Sequence, residues 1–350
     1  MNYQNGHMPP YGGGYGIDPH GPRYYMPPPK NPWYKPLRRN SNIVFFGLAL
    51  VLALGLFLSV SFSLITAYFI DSLSITAPET VSLIELSFDF ATYLLMFIIP
   101  LSIMRLWIDI PPKVAFPMRS PRASIAFPAV LICIGASVLG VLSYGFIHAF
   151  LSSVWGIDPI MPVLPEPVGI PATVVYFLWL AVAPAILEEL MFRGVIMQSL
   201  RRFGDTFALV CSSVLFSLAH HNLAQGPNAF FLGLIIGFFT LRTGSIKTAM
   251  LIHFVNNVLA LTAEFVSRDM ALRQQEMLSL GIFALYAVLG VTGLIIIVVK
   301  HGGIFHLAPS NYPVRGGKKY FAFFCGFMPI LYIICIFILT SLQFERASWY

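Results

Sequence analysis

Long apolar runs follow one another along most of this chain, at roughly 41–70, 81–107, 124–151, 171–200, 205–222, 228–242, 246–267, 279–300 and 321–343. Most approach the ~20 residues that a helix needs to cross a hydrocarbon core. Backbone polar groups in lipid must be satisfied within the segment, so such runs are helices rather than open strands. The pattern predicts an all-α fold, a polytopic transmembrane bundle of about 8–9 helices over residues 41–343. The run 81–107 carries Glu85 and Asp89, and 228–242 is short, so these two fit the pattern least well. Pro128, Pro184 and Pro329 fall inside runs, where neighbouring helices can satisfy the freed carbonyls. Pro184 should leave the Leu180 carbonyl without its helical donor and kink the segment 171–200.

The preceding segment is different. Residues 1–40 are rich in Gly, Pro and Tyr, as in Tyr11-Gly12-Gly13-Gly14-Tyr15 and Pro27-Pro28-Pro29. Such a stretch cannot bury enough surface to offset its ordering entropy, so it reads as a disordered or locally polyproline-like tail. It contains no apolar core of a cleavable signal peptide, which leaves the first apolar helix as the targeting signal.

Of the 350 residues, 57% are hydrophobic and 10% charged, against about 25% charged in a soluble domain. The net charge of +6 is spread among loops, which argues against nucleic-acid binding and for topology signals and headgroup contacts. Lys30, Lys35, Arg38 and Arg39 precede the first run, whereas Asp71 and Glu79 follow it. Basic loops continue to alternate with acidic or neutral ones. With nine crossings this predicts a cytoplasmic N-terminus, with Tyr350 on the opposite side, in a membrane taken to be the plasma membrane. Cys133, Cys211, Cys325 and Cys335 all lie in apolar runs without a zinc-type spacing, and read as small packing residues.

Against this background the run 171–200 stands out, because it holds Glu188-Glu189-Leu190-Met191-Phe192-Arg193. Each such charge at a helix centre in lipid costs roughly 2.5–3.5 kcal/mol, so it is seldom left there without a role. Glu189 and Arg193 are four apart and share a face, which suits an ion pair. Glu188 is rotated about 100° away and is left for chemistry. His220 lies as far after Gly204 as Glu188 lies before it, so a helix hairpin turning there brings both to one depth. His253 and Asn257 share a face of a later helix. Peptide hydrolysis needs an activated water, a base, and donors for the oxyanion. Glu188 can take the proton with His220 holding the water, while His253 and Asn257 donate to the oxyanion. Alternatively Glu188, His220 and His253 can ligate a divalent metal such as zinc, lowering the pKa of bound water towards about 7. The residues leave both mechanisms open.

These positions resemble the CPBP family of intramembrane endopeptidases, which includes type II CAAX prenyl proteases and bacteriocin-immunity proteins. Glu188, Glu189 and Arg193 match its Glu-Glu-x-x-x-Arg motif. Phe216 and His220 match Phe-x-x-x-His, and His253 and Asn257 match His-x-x-x-Asn. The resemblance covers a core of about 170–260. It implies catalytic roles for Glu188, Glu189, His220, His253 and Asn257, with Arg193 and Phe216 supporting the site. It also implies a membrane-associated protein or peptide substrate and, by the way the family is described, a metal. Two other classes stay in view: an ion-coupled transporter, and a non-catalytic scaffold or immunity protein. The lack of an internal repeat and of further buried acid chains counts against the transporter.

Overall fold

The computed structural model describes residues 34–159, 164–305, 307 and 316–346. Helix α1 (Tyr34–Ser72) packs along α2 (Pro78–Trp107), and α3 (Ala123–Trp155) follows. α4 (Ile170–Phe203) is one continuous helix that contains two π-helical stretches, Leu178–Val182 and Leu190–Ile196. α5 (Asp205–Leu218) and α6 (Gly226–Thr243) form a hairpin, and α7 (Ile246–Ser267) and α8 (Leu272–His301) follow. α9 (Gly317–Phe324) and α10 (Phe327–Ser341) meet at a bend of 73°. The predicted single helix over 321–343 is thus two, broken at Cys325-Gly326. A two-stranded antiparallel sheet pairs β1 (Ile157–Pro159) with β2 (Phe344–Arg346).

The helical membrane bundle agrees with the sequence expectation. Residues 1–33 of the expected tail lie outside the described residues, as does Tyr350. Residues 34–40, assigned to the tail from sequence, instead form the first turns of α1. Tertiary contacts hold them there. Leu37 is fully buried, and Asn40 donates to the Ser199 carbonyl at 3.3 Å while accepting from Arg202 at 3.1 Å.

Polar contacts sort the loops into two ends. At one end Arg39 donates to the Trp107 carbonyl, Arg202 reaches Asn40, and Lys319 donates to the Phe203 carbonyl. Ser245 bonds the Arg119 carbonyl there, beside the Met118–Ser245 bridge. At the other end the Val168 amide bonds Ser82, Arg268 pairs with Glu166 and Glu264, and β1 meets β2. The first end carries most of the basic residues, and the second gathers Glu79, Asp158, Glu166, Glu264 and Asp269.

Among the described residues six helices are long and apolar enough to cross a membrane, or seven if the bent α9–α10 pair is one span. The expected nine crossings are therefore corrected. α5 has 14 residues, a length of about 21 Å against a core of about 30 Å. α5 leaves the basic end just after Phe203 and α6 returns to it at Gly244-Ser245, so the pair enters and leaves on one side. Removing two crossings together preserves parity, and the alternation of loop charge survives the correction.

Close helix contact needs small residues where lipid supplies no hydrophobic drive. At the α3–α8 seam a Cβ on Gly290 would lie 2.6 Å from the Gly135 Cα, and one on Gly293 would lie 2.8 Å from the Pro128 carbonyl oxygen. Either added side chain forces the helices apart. Near the basic end Phe45 packs against Phe323, Phe324 and Tyr332, with ring centroids 5.6, 6.0 and 5.7 Å away, which fixes the α9–α10 bend against α1.

Topology by cysteine labelling checks this arrangement. Cysteines placed at Lys113, Lys247 and Lys318 should react from one side of the membrane, and those at Glu79, Asp158 and Asp269 from the other. Labelling of position 247 together with 79 would refute the hairpin assignment for α5–α6.

Candidate active site

The site is organised around α4. Pro184 has no amide hydrogen, and its ring disfavours ordinary helix in the preceding turn. The helix answers with a π stretch, in which the Ala183 amide donates five residues back to the Leu178 carbonyl. The second π stretch also has visible causes. The Ser212 hydroxyl from α5 donates to the Phe192 carbonyl at 2.9 Å, and the Gln198 side chain donates to the Arg193 carbonyl at 3.1 Å. Side chains inserted into the helical ladder are a recognised source of such irregularity. Glu188 and Glu189 sit between the two stretches.

Glu189 and Arg193 are paired, as their spacing predicts. Arg193 Nη1 donates to Glu189 Oε1 at 2.7 Å, and neither residue is exposed. Arg193 also donates to the Gly233 carbonyl on α6 and lies over the Phe216 ring, 4.2 Å from its centroid. The same Glu189 oxygen accepts from His253 Nδ1 on α7 at 2.8 Å. An ionised carboxylate only accepts, so His253 carries its proton on Nδ1 towards Glu189. His253 Nε2 then faces Glu188, with Glu188 Oε2 4.0 Å away. The two glutamates, although rotated apart on their helix, thus straddle one imidazole.

Glu188 is held from a third side. The Tyr93 hydroxyl on α2 donates to Glu188 Oε1 at 2.7 Å. Glu188 Oε2 is buried and has no hydrogen-bond partner among the described residues. The carboxylate is therefore oriented through one oxygen and free at the other. Tyr93 was not anticipated, because a lone tyrosine in an apolar run resembles packing. The available signal was its spacing: Glu85, Asp89 and Tyr93 follow one another at intervals of four on α2. Exposure falls along that face, from exposed Glu85 to half-buried Asp89 and Tyr93. α2 begins at Pro78, so Glu85 and Asp89 belong to the helix rather than to a loop before it.

His220 departs from expectation. It makes no hydrogen bond or ion pair with Glu188 in this structure. It lies just past the end of α5, where its Nδ1 meets the Phe216 carbonyl at 2.8 Å and its ring packs edge-on against Phe216 at 4.9 Å. That carbonyl can only accept, so His220 Nδ1 carries the proton and Nε2 is left as an acceptor. Phe216 also packs against His253 at 5.7 Å, so one phenyl ring separates the two imidazoles. Asn257 lies one turn beyond His253 on α7 and is half-buried. The residue after His220, His221, adopts a left-handed φ of 44° at the hairpin tip. Asn222 accepts from the Ala224 and Gln225 amides, an Asx-type turn that leads into α6.

The expected ligands Glu188, His220 and His253 are not gathered into a metal-holding group in this arrangement. Among the described residues no three or more His, Cys, Asp and Glu side chains are gathered to hold an ion. The Nδ1 bonds of His253 to Glu189 and of His220 to a carbonyl leave Nε2 as the uncommitted nitrogen of each ring.

Residues 170–259 match the family model of type II CAAX prenyl endopeptidase Rce1-like proteins. The matched segment contains Glu188, Glu189, Arg193, Phe216, His220, His253 and Asn257, and it bears out the resemblance drawn from them. It is about a quarter of the chain, and the family is one of proteases acting in membranes. No curated protein and no solved structure matches the chain.

Two outcomes follow for the contacts of α4. Arg193→Ala strands Glu189 in the bundle and should cost about 3–5 kcal/mol of stability, seen as a lowered unfolding temperature in detergent. Tyr93→Phe keeps the ring and loses only the hydroxyl. It should leave the unfolding temperature nearly unchanged while peptide cleavage slows by about 10–100-fold, the worth of a hydrogen bond to a charged group.

Proposed function

We propose that the protein is an intramembrane endopeptidase that hydrolyses a peptide bond of a membrane-associated protein or peptide, with Glu188 as general base. The observation that carries this reading is the free oxygen of Glu188, buried and 4.0 Å from His253 Nε2. A water about 2.8 Å from each atom spans that gap. It donates one hydrogen to Glu188 Oε2 and the other to His253 Nε2, which leaves a lone pair for attack.

As that oxygen adds to the scissile carbonyl, Glu188 takes its proton and the carbonyl oxygen becomes an oxyanion. Asn257, on the same face of α7, supplies an amide donor to that oxyanion. Collapse breaks the C–N bond, and Glu188 returns the proton to the leaving amine. Glu189 fixes the tautomer and orientation of His253, and Arg193 supplies the opposite charge beside Glu189 in the bundle. Tyr93 aims Glu188. His220, with its Nε2 free to accept, is the second imidazole of the site. The basic end of the bundle is proposed to face the cytoplasm, following the bias of Lys and Arg towards that side.

Purified protein assayed with a panel of peptides tests the reading. Glu188→Gln should abolish cleavage with expression and folding near normal, and full activity in this variant would remove Glu188 as base. Asn257→Ala should cost about 10²–10³ in rate, the typical loss of an oxyanion donor. Metal analysis of the active protein is the deciding control. A stoichiometric ion that disappears together with activity in His253→Ala would replace this mechanism with a metal-assisted one.

A further inference from the structure

The basic end carries a surface feature that the proteolytic reading does not use. Lys35, Arg38, Arg39 and Asn42 recur at helical spacing on one face of α1, and all four are exposed. With Ile43 of α1 and Leu106 and Trp107 of α2 they line a cavity of about 690 Å³, open to the outside. Among the described residues no carboxylate lines it. Arg39 is anchored by its bond to the Trp107 carbonyl at 3.2 Å, across the seam between the two helices. Lys35 and Arg38 make no polar contact with the described residues.

What lies next to the cations identifies the ligand. Along the same face of α1 the next turn presents Phe46, whose ring stacks on Trp107 at 5.3 Å. Leu106 is 80% exposed and Trp107 50% exposed, at the end of an apolar spanning helix. A cationic rim that passes within one helical turn to an aromatic and aliphatic wall matches a molecule with an anionic head and an apolar tail. Tryptophan at such a level marks the membrane–water interface. An acidic peptide would satisfy the cations but leave the wall of Ile43, Leu106 and Trp107 without a use.

We propose that this groove binds an anionic phospholipid, its phosphate held by Lys35, Arg38 and Arg39 and its acyl chains laid against Leu106, Trp107 and Phe46. The lipid bridges the start of α1 and the end of α2, the helix that carries Tyr93. The site stands independently of the protease assignment.

Native mass spectrometry of the full chain in detergent tests the proposal, with phosphatidylglycerol and phosphatidylcholine of identical acyl chains as probes. The wild type should retain one phosphatidylglycerol under conditions that release phosphatidylcholine. Each cation near an anionic lipid contributes about fivefold. Lys35→Gln, Arg38→Gln and Arg39→Gln combined should therefore weaken retention by about a hundredfold, and Lys113→Gln with Lys318→Gln should not. The unfolding temperature without added lipid verifies that the triple variant is folded. If it is not, Lys35→Glu alone, at an exposed side chain with no polar partner among the described residues, should still weaken retention at least fivefold. Equal retention of the two lipids by the wild type, or undiminished phosphatidylglycerol in a folded variant, overturns the proposal. Displacement of the lipid by millimolar inorganic phosphate would also overturn it, since the site would then recognise phosphate alone.

Discussion

Glu189 Oε1 accepts from Arg193 at 2.7 Å and from His253 at 2.8 Å, and the site depends on this shared acceptor. A carboxylate buried in lipid-embedded helices is tolerable only with its charge matched and its lone pairs used. Arg193 supplies the charge from the same helix. His253 supplies the second donor from α7, so the ion pair also ties two helices together and sets the rotation of one of them. Once that rotation is set, the far nitrogen of the imidazole has nowhere to point except towards Glu188. Phe216 closes the arrangement by lying under the guanidinium and against both histidine rings. Orientation of the proposed base thus follows from the burial of its neighbour.

The sequence carried the charged helix, the Glu189–Arg193 pair and the motif positions, because those depend on spacing along a single element. It was less informative wherever two elements had to be rotated against each other. Equal distance from Gly204 predicts a similar depth for Glu188 and His220, yet depth is one coordinate of three. The large ring of Phe216, one turn before His220, stands beside His253 and the guanidinium instead. The link between His253 and Glu189 was hidden for the same reason. Tyr93 was hidden by its chemistry, since a phenol reads as apolar until its hydroxyl finds a carboxylate.

The crossing number illustrates another limit of one-dimensional patterns. Hydropathy reports that α5 and α6 are apolar, and it is silent on whether a short pair passes through or turns back. Loop charge could not expose the difference, because an even number of extra crossings leaves every later loop on its expected side. The contacts of Ser245 with the Arg119 loop, and of Lys319 with Phe203, carry that information instead. The hairpin brings His220 into the bundle from the basic side without a full passage.

The two π stretches of α4 give the acidic pair a property unlike that of an ordinary helical motif. Each packs more residues into a turn than an α-helix does, so the angle between the halves of α4 depends on how many residues lie between them. One residue fewer within Leu190–Ile196 would rotate everything on one side by about 100° relative to the other. Glu188 would then leave Tyr93, or Arg193 would leave Gly233, with every side chain chemically intact. The aim of the carboxylates is encoded in residue count as much as in residue identity. This part of the chain can therefore drift in side chains during evolution more readily than it can change length.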